Sequence, residues 1–130
     1  FSRGEPWIGI PANAAQINVN SQMDDPDSVL HHYRRLIDLR RREPLIQQGV
    51  YRALLQDHLQ VWAYLREGHG ERLLVLNNFY GSSCEIQLPE GVINAANEQR
   101  LLISNYPDCP LRTSTMVLRP YESFVLHLTG

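Results

Sequence analysis

DPDSVLHHYRRLIDLRRREP, residues 25–44, decides how the rest of this chain is read. Asp25 suits a helix N-cap and Pro26 the first helical position, where no amide hydrogen is needed. Asp27 adds negative charge at the positive end of the helix dipole. Val29, Leu30, Tyr33, Leu36, Ile37 and Arg40 then recur along one face, while Arg34, Arg35, Asp38, Arg41 and Arg42 fall mostly elsewhere. Pro44 stops the helix, because the residue before a proline is pushed out of the helical region and the ring clashes inside a helix.

On the N-terminal side, residues 1–24 mix Gly, Pro and Asn with single apolar residues and hold no sustained period of either 2 or 3.6. This reads as loop. A loop of such length is uncommon in a compact domain unless it is functional or belongs to something larger. Trp7, Ile8, Ile10, Ile17 and Val19 need a surface to cover them, and the chain starts at Phe1 inside this loop. The expectation is a piece of a longer polypeptide.

On the C-terminal side, residues 45–49 read as a turn-rich link, after which the period changes to 2. Seven short segments carry strand alternation: 50–55, 59–66, 72–79, 84–88, 100–104, 114–119 and 123–128. Between them lie EGHG (67–70), YGSS (80–83), LPEG (88–91), NYPDCP (105–110) and RPY (119–121), all rich in turn residues. The predicted fold is mainly β, an antiparallel sandwich preceded by a loop and one long helix. The boundary falls near Gly49, giving a segment 1–49 and a sandwich 50–130. Along 61–66, Val61, Ala63 and Leu65 alternate with Trp62, Tyr64 and Arg66, so one face is aliphatic and the other aromatic and polar, a candidate second interface.

Composition narrows the function. A net charge of −2 and a pI near 6.2 give no electrostatic footprint for nucleic acid or an anionic membrane, and no apolar run is long enough to span a bilayer. Arg40 to Arg42 form the only dense basic run, and cations in the last helical turn complement the dipole. Cys84 and Cys109 make no CxxC pair, and no signal-like N-terminus precedes them, so free thiols and a cytoplasmic location are expected. His31 and His32 are adjacent and point apart on a helix, so no metal and no cofactor is expected.

The search for catalytic residues returns none. Asp24, Asp25 and Asp27 are accounted for by helix capping. There is no GxSxG, no lysine anywhere, and therefore no phosphate loop ending in lysine. Trp7, Trp62, Tyr64, Phe79, Tyr80, Tyr106 and Tyr121 offer either a sugar-stacking platform or filling for the core and an interdomain seam, and the seam is favoured because amphipathic aromatics gather at interfaces.

These residues also carry a resemblance. The stretch EPWIGIPANAAQINVNSQMDDPDSVLHHYRRLIDLRRREP, residues 5–44, resembles the segment of alpha-amylase-superfamily alpha-glucosidases that runs from the loop after the eighth barrel strand into the last barrel helix. The shared words are PWI, INV, DPDSVL and YRRLIDLR before a proline. LLISNYP and LRPYES resemble closing strands of the same enzymes, in their oligo-1,6-glucosidase, trehalose-6-phosphate hydrolase and sucrose-isomerising branches. One position departs from the pattern: Ala14 stands where the family commonly has an aromatic.

The resemblance implies a parent several times longer, with a catalytic barrel ahead of Phe1 as this region's partner. That barrel would bring the catalytic carboxylates and the only route to an oligosaccharide substrate. Retention through a glycosyl-enzyme needs two carboxyl groups about 5 to 5.5 Å apart, and no carboxylate here matches those positions. The region itself is then structural. The alternative is a carbohydrate-binding sandwich without chemistry. Burying about six apolar helix side chains at ~1.5 to 3 kcal/mol each is worth roughly 10 kcal/mol, as much as a domain's whole stability. Alone, the chain is expected to expose the face of Val29, Leu30, Tyr33 and Leu36, or to cover it with a second copy.

Overall fold

The computed structural model describes residues 4–94, 98–108 and 113–130. Cys109 and the end of the 105–110 turn lie outside the described residues. Two compact units divide after Asp38, within the long helix.

The first unit, residues 1–38, is less irregular than its sequence suggests. Asn18 caps a single turn, α1 (Val19–Gln22), through a reciprocal capping box with Ser21: the Ser21 amide donates to Asn18 Oδ1 at 2.9 Å, and the Asn18 amide to Ser21 Oγ at 3.2 Å. The long helix, α2, spans Val29–Arg42 and begins later than Asp25 predicts. Asp25 Oδ1 instead accepts the Asp27 amide at 3.0 Å, closing an Asx turn. Ser28 takes the capping role. Its carbonyl accepts the His32 amide at 2.9 Å, and its hydroxyl lies 3.4 Å from the His31 amide and 3.0 Å from His31 Nδ1. Gln22 Oε1 satisfies the Leu30 amide at 2.9 Å.

No residue of α2 is buried. Val29 is 70% exposed, Tyr33 63% and Ile37 49%, and Leu36 is exposed too. Trp7, Ile8, Ile10, Ile17 and Val19 are likewise exposed. An amphipathic stripe left open in this way is formed to lie against something.

In the second unit, residues 39–130, the predicted link at 45–49 is a helix, α3 (Pro44–Gln48), with Pro44 at its first turn. Seven strands follow, all paired antiparallel: β1 (Val50–Leu54), β2 (Val61–Gly68), β3 (Glu71–Asn78), β4 (Cys84–Gln87), β5 (Glu98–Ser104), β6 (Thr115–Leu118) and β7 (Ser123–Thr129). One sheet runs β1-β2-β3-β7-β5, the other is β4-β6. Glu67 and Gly68, expected in a turn, extend β2 to a two-residue hairpin of His69 (φ 54°) and Gly70 (φ 80°). Positive φ at both positions is what a tight hairpin of matching twist requires.

The core lies between the two sheets. Leu54, Val61, Ala63, Leu65, Leu74, Leu76, Phe124, Leu126 and Leu128 of the large sheet meet Ile86, Met116 and Leu118 of the small one, with Leu88 just past β4. Their period-2 spacing along each strand is the sandwich pattern. At one end, buried Asn78 ties two turns together. Its side-chain amide donates to the Ser82 carbonyl (2.8 Å) and the Arg119 carbonyl (2.9 Å), and its Oδ1 accepts the Tyr80 amide (3.0 Å).

Candidate interaction surface

The large sheet has a second face, turned away from the core, and β3 shows its character. Leu73, Leu74, Val75 and Leu76 are all buried, although alternate residues point to opposite faces. An antiparallel sheet with one solvated face alternates apolar with polar; a continuous apolar run marks a strand covered on both. By register, Leu73 lies between Arg66 and His127, and Val75 between Tyr64 and Val125. His127 is itself buried and bridges neighbouring strands. Arg100 can only donate, so its Nη2 at 2.9 Å fixes His127 Nδ1 as the acceptor and leaves Nε2 to donate to Glu71 Oε2 at 3.1 Å.

Towards β1 the same face carries a row of aromatic rings. Tyr51 and Tyr64 have centroids 5.2 Å apart, Trp62 and Tyr64 5.1 Å, and Trp62 and Phe79 6.5 Å at 28° between planes. Such offset and tilted pairs favour one another beyond the area they bury. Burial raises the Tyr64 phenol above its usual pKa. Trp62, Phe79 and Tyr51 stay about half exposed or more. Beside them a groove of about 410 Å³ opens along the 55–60 loop. Leu55, in a left-handed conformation at φ 49°, turns that loop, and Leu59 stands 90% exposed at the groove's edge. His58 Nδ1 accepts the Val61 amide at 3.0 Å and the Gln60 amide at 3.2 Å, pinning the loop to the start of β2.

The edge of this face near the β2–β3 hairpin is already covered. Leu45 of α3 is buried, and its Cδ2 lies 3.0 Å from where a Cβ on Gly68 would sit. Arg66, on this face, reaches the carbonyls of Leu45 (3.4 Å) and Gln47 (3.3 Å).

Of the seven aromatic residues singled out from sequence, the structure brings together Trp62, Tyr64 and Phe79. Tyr106 sits elsewhere, under the Arg119 guanidinium at 3.8 Å from its ring centre. Tyr80 and Tyr121 are exposed near the Asn78 turns, and Trp7 lies in the first unit. Tyr51 and Leu59 were missed: Tyr51 joins the row only through the register of β1 on β2, which a six-residue loop does not fix in advance.

Glu122, Asp108 and Glu67 are engaged structurally. Glu122, fully buried, accepts the Arg119 amide (2.7 Å) and Arg119 Nη2 (2.8 Å), while Arg119 Nη1 meets Asp108 at 2.7 Å. Those bonds to Glu122, then Asp108, raise the Arg119 pKa further. Glu67 pairs with Arg52, which holds its carboxyl below the usual range. Among the described residues, no group of three or more His, Cys, Asp or Glu could hold a metal ion. Cys84 is a free, half-buried thiol with its pKa raised by desolvation.

Comparison with known proteins places both parts of the chain. Residues 61–125 match the family described as the alpha-amylase SusG C-terminal domain, and residues 1–49 match the alpha amylase catalytic domain. The trehalose-6-phosphate hydrolase of Bacillus subtilis is 36% identical over 129 residues, covering 99% of this chain and 23% of that protein. An oligo-1,6-glucosidase of Halalkalibacterium halodurans is 37% identical over 126 residues, covering 96% and 22% respectively. Among solved structures, trehalose-6-phosphate hydrolase from Bacillus licheniformis superposes with a TM-score of 0.89 at 41% identity over 98% of this chain and 23% of that one. Isomaltulose synthase from Klebsiella sp. LX3 gives 0.82 at 31% identity over 98% and 22%. The chain thus spans less than a quarter of the length of these relatives.

Proposed function

This chain belongs to the alpha-amylase family, glycoside hydrolase family 13, as a C-terminal region, and on that footing we propose that it is the closing part of a retaining alpha-glucosidase acting on short alpha-linked oligosaccharides. Residues 1–49 complete a catalytic barrel and residues 50–130 form the sandwich domain that follows it in the chain. The observation that carries this is the uncovered apolar stripe of α2, 14 residues long with none buried, inside a segment matching the catalytic domain. A last barrel helix has that form: one face meant for the barrel wall, the other for solvent.

The chemistry follows by division of labour. Retention needs a nucleophilic carboxylate and an acid/base carboxyl about 5 to 5.5 Å apart across the glycosidic bond. In this reading both are supplied upstream. The acids here support that division: Asp25 turns the chain into α2, Glu122 and Asp108 hold Arg119, and Glu67 pairs with Arg52. The loop before α2 walls the active-site end of the barrel, where such enzymes place their catalytic residues. Short alpha-1,6-linked glucosides and trehalose 6-phosphate are the two substrate classes that the named relatives suggest. A cytoplasmic location belongs to the same proposal, supported by the free Cys84 thiol.

The test is an assay of the intact polypeptide and of residues 1–130 alone on an aryl alpha-glucoside, isomaltose and trehalose 6-phosphate. The intact chain should release glucose or glucose 6-phosphate with retained configuration, and the region alone should release none. Turnover by residues 1–130, or an intact chain inert on all three, would refute the proposal.

A further inference from the structure

We infer that His127 is a proton-operated clasp on the edge strand β5: while its imidazole is neutral it holds Arg100, and on taking up a second proton it releases Arg100 and keeps Glu71. The inference stands on the geometry of the large sheet and is independent of the proposed function. His127 lies on β7, with β3 on one side and β5 on the other. Its side chain is 10% exposed, whereas Glu71 is about half exposed and Arg100 is exposed. Arg100 Nη2, 2.9 Å from Nδ1, needs a bare nitrogen there, because a guanidinium only donates. Nε2, 3.1 Å from Glu71 Oε2, carries the one ring proton of that state and still carries it in the imidazolium. A second proton therefore has a single place to go, Nδ1, and it arrives where Arg100 is bonded. The guanidinium loses its acceptor, meets a like charge and turns to the water it already touches, while the bond to Glu71 becomes an ion pair. The hold of the ring thus passes from β5 to β3.

The strand on the far side of this clasp is one that a single bond can loosen. β5 ends the large sheet and pairs within it only with β7. Its ladder shifts register between Leu101 and Ile103, which sets Glu98–Leu101 apart from the residues beyond. The part beyond has ties of its own: Asn105 accepts the Ser123 amide and donates to the Tyr121 carbonyl, each at 2.8 Å. In the nearer part, Arg100 is the side chain that crosses to His127. The other charged groups on this side of the sheet come from each neighbouring element. Glu98 of β5 stands opposite Thr129, two residues along β7 from His127, and Arg66 of β2 lies in the same row beyond Leu73. Glu43, ahead of α3, and His69 of the β2–β3 hairpin share a cavity of about 170 Å³ with Glu71. An imidazole changes charge between about pH 5 and pH 8, so the clasp works within the range a cell can traverse.

The experiment is amide hydrogen exchange of the intact polypeptide near neutral pH and near pH 5, read by mass spectrometry on the peptide covering 98–104 and on peptides from β2 and β3. Nitrogen NMR of the histidine rings of the parent reports the tautomer. His127→Gln keeps an acceptor for Arg100 and a donor for Glu71 but takes up no proton, and Arg100→Met keeps the stem and removes the donor. Near neutral pH the parent should exchange at 98–104 as His127→Gln does, and near pH 5 at least about threefold faster than that variant, with β2 and β3 unchanged. Arg100→Met should exchange fast at both, and the neutral His127 ring should carry its proton on Nε2. Equal exchange of the parent and His127→Gln near pH 5 would overturn the inference, as would a neutral ring protonated on Nδ1. Faster exchange spread evenly over β2, β3 and β5 would mean a general loosening in acid and would overturn it too.

Discussion

Gly49 is where the helical part of this protein becomes a sheet, and a single methyl group there should be costly. The Gly49 amide donates to the Leu45 carbonyl at 3.0 Å, and the backbone leaves α3 at φ −63° and ψ 148°, a conformation alanine adopts freely. Space is the obstacle. A Cβ would stand 2.6 Å from the Leu45 carbonyl oxygen, 3.2 Å from Arg66 Cβ and 3.2 Å from the Glu67 amide nitrogen. None of these is the tip of a flexible side chain, so relief requires α3 to lift from β2. That movement loosens the Gly49 hydrogen bond and the bonds from Arg66 to the Leu45 and Gln47 carbonyls. Overpacking a rigid contact costs about 1–3 kcal/mol and a weakened hydrogen bond about 1 more, so Gly49→Ala should lose about 2–4 kcal/mol. Urea unfolding of the 130-residue chain followed by circular dichroism measures this: with a slope of about 1–3 kcal/mol/M, the midpoint should fall by about 1 M or more. Gly9→Ala, which meets nothing within 4 Å, is the control and should leave the midpoint where it is. A Gly49→Ala midpoint equal to that of the parent would mean that α3 is not seated on the sheet.

Two further outcomes follow from the sandwich. Phe124, 1% exposed between the sheets, should lose about 3–5 kcal/mol on replacement by alanine, read from denaturant unfolding; a loss under about 1 kcal/mol would mean the core can collapse around the gap. Glu67, its pKa lowered chiefly by the Arg52 hydrogen bond, stabilises the fold above the ordinary carboxylate range, and that contribution disappears as the pH falls through its lowered value. Because the pair is largely exposed the effect is at most about 1 kcal/mol, and Arg52→Gln should flatten the acid limb of a stability–pH curve without moving the neutral plateau by more than that.

The long helix and all seven strands could be read from local pattern, because amphipathic stripes and period-2 alternation are properties of contiguous residues. The errors came where two local rules competed. Pro26 and Pro44 both satisfy the first-turn preference, yet only Pro44 opens a helix, while Asp25 spends its carboxylate on a turn and Ser28 caps α2. PLIQQ, at five residues, is too short to show a period, so α3 read as a link. The aromatic row was half legible. Trp62 and Tyr64 alternate along one strand, but Tyr51 and Phe79 reach them by pairing and a turn, and Leu55 takes a positive φ that a leucine gives no reason to expect. The place of β7 between β3 and β5 is a non-local pairing that no window of sequence contains.

Exposed apolar side chains give the two units a common physical logic. The Leu73–Leu76 run is itself buried, but Leu59, Trp62 and Phe79 of the same unit stand half exposed or more. In the first unit, the part of α2 up to Asp38 leaves Val29, Tyr33, Leu36 and Ile37 exposed. Each unit therefore holds apolar surface that its own residues do not enclose, and each kilocalorie recovered by covering it depends on a body outside the unit. Anything that binds the folded sandwich and not the unfolded one raises its apparent stability, and the dependence is mutual. Under the proposed function, a core substitution such as Phe124→Ala should then lower the thermal resistance of the intact chain's glucosidase activity while leaving turnover at low temperature unchanged. Activity lost at both temperatures alike would point instead to a sandwich residue acting within the active site.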